Sequence, residues 1–154
     1  MKKSFISLSA SLLASAMLFI GCSSINPTQT ASAVKIAATV GVNVAVQKDP
    51  TLVPYFKAAD LAIKTLVLNA QYDPASLNAI LAAVSVPTNQ WAAYQLGCGV
   101  AVEIYDVYAS NIASNLDKTV YLKPVLQGLA TGIEQGLGTN MTVQTLQLQR
   151  HPKK

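Results

Sequence analysis

Gly128, Gly132 and Gly136 stand four residues apart in a stretch, 121–137, whose apolar residues repeat with helical spacing. A glycine inside a helix costs up to about 1 kcal/mol relative to alanine. Three in register therefore signal a face that another backbone approaches closely. Two further segments carry matching small faces, Ala33, Ala37, Gly41 and Ala45 early in the chain and Ala93, Gly97 and Ala101 in its middle. Rows of this kind let helix axes come close together. The expected fold is all-α, a small bundle of four or five helices with thin seams. Composition agrees: aromatic residues make up only 6% of the chain while apolar residues make up 51%, so the core must be built from Ala, Val, Leu and Ile. Charged residues are 12%, about half the share of an average soluble domain, and the mean hydropathy of +0.36 excludes an intrinsically disordered chain.

Prolines and Asp-Pro pairs punctuate the expected helices. The first covers residues 32–47 and ends at Lys48-Asp49-Pro50. Val40, Val42, Val44 and Val46 alternate as a strand would, but no second convincing strand exists to pair with them, so helix is the better assignment. The second covers 51–69, with Pro54 in its first turn. Leu52, Phe56, Ala59, Ile63, Leu66 and Val67 share one face there, opposite Lys57, Asp60 and Lys64. Asp73 is placed to cap a third helix over 74–84, with Pro74 as its first residue. Thr88 or Asn89 is placed to cap a fourth, reaching about residue 113, and the fifth covers 121–137 and stops at Gly138. Residues 139–154 read as a flexible basic tail carrying Arg150, His151, Lys153 and Lys154.

Residues 1–22 are of another kind. Lys2 and Lys3 precede residues 4–20, which bear no charge and mix Leu, Ile, Phe and Ala with serine. A permanent span needs about 20 strongly apolar residues, and a stretch diluted by serine fits a cleaved export signal better. It closes on Leu18-Phe19-Ile20-Gly21-Cys22, which resembles the lipobox of bacterial lipoproteins, with Phe19 where Leu is customary and Ile20 bulkier than the commoner Ala or Ser. The resemblance covers the export segment alone. It implies cleavage between Gly21 and Cys22, a diacylglyceryl group on the Cys22 thiol and acylation of the new amino terminus. The Ala-x-Ala signature of ordinary signal peptidase occurs at Ala14-Ser15-Ala16 and Ala31-Ser32-Ala33, inside the apolar run and well past it. The expected organisation is a signal peptide over 1–21, lipidated cysteine and tether over 22–31, helical domain over 32–138 and tail over 139–154. The expected location is the cell membrane or outer membrane, facing the periplasm or exterior, and Ser23 in place of Asp favours the outer membrane by analogy with lipoprotein sorting.

With Cys22 acylated, Cys98 is the only remaining thiol and cannot close an internal disulfide. A small buried residue at a helix contact is expected there. The sequence holds no paired Cys/His set for zinc, no Gly-x-Ser-x-Gly elbow and no phosphate-binding loop. Glu103 and Asp106 share a helix face, a spacing compatible with an acid–base pair but far commoner on a solvated surface. Together with Glu134 they interrupt the helices too often for membrane insertion. Trp91, Tyr94, Tyr105, Tyr108 and Tyr121 form either the amphipathic edge of the bundle or the lining of a ligand groove. Two functions remain. The first is a non-enzymatic envelope protein, structural or interaction-mediating, whose face of Gly128, Gly132, Gly136, Trp91 and Tyr94 meets a protein partner. The second is a ligand-binding lipoprotein with an aromatic-lined pocket. Neither calls for a metal, a cofactor or nucleic acid; both place the protein on a membrane through lipid on Cys22, and both leave its oligomeric state open.

Overall fold

Asn26-Pro27 starts the first helix, earlier than residue 32 where its apolar pattern becomes visible. The Asn26 side chain accepts from the N–H groups of Thr28 (3.0 Å) and Gln29 (3.3 Å), and Pro27 brings a helical φ at a position whose N–H has no intrahelical partner. A computed structural model describes residues 26–149, with side-chain surroundings through residue 138. The signal segment with Gly21 and Cys22, and the basic residues Arg150, His151, Lys153 and Lys154, lie outside the described residues.

Five α-helices and no strand occur among the described residues: α1 (Pro27–Lys48), α2 (Val53–Leu68), α3 (Pro74–Ala82), α4 (Thr88–Ser110) and α5 (Lys118–Gln149), with one 3-10 turn at Pro50–Leu52. The alternating valines 40–46 are helical. Asp49 ends α1 and caps the 3-10 turn, accepting from the Thr51 N–H at 3.1 Å. α2 closes on Ala70, whose φ of 54° is left-handed. There the Gln71 N–H reaches the Leu66 carbonyl (3.0 Å) and the Ala70 N–H the Val67 carbonyl (3.4 Å), a Schellman ending with alanine where glycine is usual. Asp73 caps α3 as expected, accepting from the Ser76 N–H at 2.8 Å. α4 starts directly after Pro87 with no side-chain cap, so neither Thr88 nor Asn89 serves as one. α5 begins at Lys118, with the Asp117 carboxylate receiving the Thr119 N–H at 2.8 Å. It passes through Gly138 to Gln149, so the expected tail from residue 139 is helical over most of its length. An exposed glycine in a helix weakens it without ending it.

α1 is the central element, packed most extensively on α5 and next on α4. Its contacts with α5 advance in step, Gly128 over Ala31, Gly132 over Lys35 and Gly136 over Thr39, so the first and last helices run parallel. α4 runs antiparallel to α1. Gln90 at its start donates to Asp49 at the end of α1 (2.9 Å), and Gly97 further along meets Gly41. The core is built largely from Val34, Ala38 and Val42 of α1, Phe56 and Ile63 of α2, Leu77 of α3, Tyr94 and Tyr105 of α4, and Leu122, Leu126, Leu129 and Ile133 of α5.

Candidate functional site

The glycine row is an internal seam. A Cβ added at Gly128 would lie 2.5 Å from the Ala31 carbonyl oxygen. One at Gly132 would lie 2.5 Å from that of Lys35 and 2.7 Å from the Ala38 Cβ, and one at Gly136 would be 2.8 Å from the Thr39 oxygen and the Val42 Cβ. These separations are too short for any side chain, so the missing Cβ atoms are what let α5 lie against the backbone of α1. The opposite flank of α1 uses its own small row in the same way, with Gly41 against the Gly97 carbonyl of α4. The vacancy at Gly97 also admits the Phe56 ring. The glycine row of α5 and the glycines of the rows on α1 and α4 are thus covered by this chain's own helices.

The aromatic residues divide by depth. Tyr94 and Tyr105 are buried, and each hydroxyl donates to a backbone carbonyl at one end of α3, Tyr94 to Leu81 in its last turn (3.5 Å) and Tyr105 to Tyr72 in the loop before it. Burial pushes both phenols well above their ordinary pKa. Phe56 stacks on Tyr94 with ring centroids 5.2 Å apart, and the half-buried Trp91 ring lies tilted 5.6 Å from that of Tyr94. These residues pin the two ends of α3 to α4. A shallow concavity lies elsewhere. It is an open apolar groove of about 460 Å³ between α2 and α3, walled by Pro54, Tyr55, Ala58, Ala62, Ile80 and Val84.

The carboxylates are committed one by one. Asp49, Asp73 and Asp117 hold helix starts, and hydrogen bonds from Thr51 and Ser76 draw the carboxyls of Asp49 and Asp73 below the usual range. Asp60 accepts from Lys64 at 2.8 Å, and Lys64 also pairs with Glu134 of α5. Desolvation nonetheless leaves the Asp60 carboxyl raised, its burial outweighing the lysine beside it. The two acceptors raise the Lys64 ammonium in turn. Asp106 accepts from Asn78 at 3.1 Å while Glu103 is exposed, so the two are not brought to a common cleft. Cys98 is buried, and desolvation lifts its thiol to about 12, which makes it inert. Among the described residues no group of three His, Cys, Asp or Glu side chains converges as metal ligands, and no helix is long and apolar enough to cross a membrane.

One surface was not singled out by sequence pattern. Ile36, Val40 and Val44 are 61%, 44% and 46% exposed and recur every four residues on α1, so they form a single outward row. In the sequence Val40 and Val44 stand out only as members of an alternating valine run, and Ile36 not at all; the seams with α4 and α5 take the other faces of α1 and leave this one open. The chain matches no protein-family model, no curated protein and no solved structure.

Proposed function

We propose that this chain is a small lipid-anchored lipoprotein of the bacterial cell envelope, held by acyl chains on Cys22 and acting without catalysis as a structural or interaction-mediating protein. The observation that carries this is Gly21-Cys22 at the close of an uncharged run behind Lys2 and Lys3. Each buried acyl methylene contributes about 0.8 kcal/mol, so one chain attaches marginally while two or three hold firmly. The position of the cap is compatible with the assignment, since Asn26 and Pro27 start the first described helix four residues after Cys22 in sequence. A non-catalytic role is supported by Asp49, Asp73 and Asp117, which serve as caps, by Asp60 and Glu134, which pair with Lys64, and by a buried, inert Cys98.

Metabolic labelling tests it directly. Cells expressing the full chain should incorporate labelled palmitate into it, and Cys22→Ser should abolish the label and leave uncleaved precursor in the membrane fraction. A wild-type chain that never takes up palmitate refutes the anchor. Envelope crosslinking and pull-down of the acylated protein then identify what it meets.

A further inference from the structure

We propose that the outward row of α1 rests on the bilayer, so that the domain lies with its first helix along the membrane surface instead of standing off from it. This rests on the lipid anchor proposed for Cys22. Only residues 23–26 separate that cysteine from the first residue of α1. Fully extended, such a connection reaches about 17 Å. Ile36 follows nine residues into the helix, about 14 Å along its axis, and Val44 about 12 Å beyond that. A helix standing upright on so short a leash would carry the row progressively away from the lipid, whereas a helix lying flat brings Ile36, Val40 and Val44 to the surface together.

The side chains suit that surface. The row is wholly aliphatic, and α1 contains no carboxylate, its only charges being Lys35 and Lys48. Anionic headgroups therefore meet no like charge on this helix. Two exposed leucines of α2 make a contrast. Leu61 (68%) and Leu68 (84%) share α2 with the cluster of Asp60, Lys64 and the α5 residue Glu134, where two acids oppose such a surface. Three aliphatic side chains would bind a bilayer feebly from solution. A leash this short raises their effective concentration at the lipid to the millimolar range or above, so a weak contact is populated without any change in the fold.

The test places a benzophenone side chain, one site at a time, at Ile36, Val40, Leu61 or Leu68 of the full chain in cells whose phospholipids carry an alkyne label. Palmitate on Cys22 is read in the same samples. All four positions are exposed, and Val40 serves as the second probe of the row if the change at Ile36 disturbs folding. After illumination, lipid adducts at Ile36 and Val40 should exceed those at Leu61 and Leu68 by about tenfold, as expected when one face is held at the bilayer. Equal adducts at all four positions would mean a freely tumbling domain and overturn the inference. Crosslinks from Ile36 and Val40 to a second copy, or to another envelope protein in place of lipid, overturn it as well. Acylated Cys22 without lipid adducts on the row overturns the orientation and leaves the anchor standing; an unacylated Cys22 overturns both.

Discussion

A carbonyl oxygen is the contact partner of Gly128, Gly132 and Gly136, and that decides what substitution there does. Gly132→Leu keeps a good helix former but drives a side chain into the Lys35 oxygen and the Ala38 Cβ, and should cost about 1–3 kcal/mol as overpacking. Gly99, on α4, has nothing within 4 Å of an added Cβ, so Gly99→Ala should stabilise the helix by up to about 1 kcal/mol. Opposite shifts in the thermal midpoints of the two variants are the expected outcome; a raised midpoint for Gly132→Leu would mean the face is open. Ala70 offers a third residue-level test. The left-handed region costs an L-residue about 1–2 kcal/mol, part of which glycine returns through its freer unfolded chain. Ala70→Gly should therefore raise stability by roughly 0.5–1 kcal/mol, and an unchanged or lowered denaturant midpoint would argue against the Schellman ending. The spacing of Gly128, Gly132 and Gly136 made a close approach legible in the sequence, but not its partner. The small rows of both α1 and α4 have the matching spacing, yet α5 lies over Ala31, Lys35 and Thr39. A glycine needs a backbone opposite it, and a backbone presents carbonyls whatever its side chains are. Ala70 was invisible for the same kind of reason, since alanine advertises no turn.

At the scale of the element, caps outweigh periodicity in deciding where helices begin. Asp73-Pro74 announced α3 because the carboxylate and the proline act on the same turn. Asn26-Pro27 carries the same signal but precedes a polar first turn, so the apolar pattern located α1 too late. Thr88 has the right chemistry for a cap and stands inside the helix, with Pro87 already fixing the entry. Asp73→Ala should cost about 1 kcal/mol and fray α3. The loss should depend on pH in a defined direction. Hydrogen bonds from Ser76 lower the folded Asp73 carboxyl, so its contribution is complete above the unfolded pKa near 3.9 and disappears as pH falls through the lower folded value. The difference in melting temperature between wild type and Asp73→Ala should thus be constant at neutral pH and shrink below about pH 4. A difference that persists undiminished in acid would assign the cap to the Ser76 hydroxyl or to the backbone instead.

The whole molecule is tied together by its two ends. α4 and α5 are neighbours in sequence but share few contacts, and α1 joins them by lying between them. Such a fold is less local than a bundle of successive hairpins, because the parallel seam between α1 and α5 forms only when residues near 31–42 meet residues near 128–136. Loop closure over that separation precedes the reward of packing, so folding slower than for an up-and-down bundle of this size is expected. Nothing in the local pattern reveals this arrangement. The apolar faces of α1, α4 and α5 fit several pairings, and only the depth of the glycine seam selects the parallel one. The consequence for stability is sharp. A chain ended at residue 127 keeps α1 to α4 intact but removes all three seam glycines together with Leu129 and Ile133, uncovering Val34, Ala38 and Val42 on α1, all of which are fully buried. It should retain helical circular dichroism while losing a cooperative thermal transition, as expected when a core is left open on one side. A chain ended at residue 138 preserves the seam through Leu137 and should melt cooperatively like the longer protein. If the chain ended at 127 melted as sharply as the one ended at 138, α5 would be an accessory to a bundle of four helices, and α1 would owe its place to α4 alone.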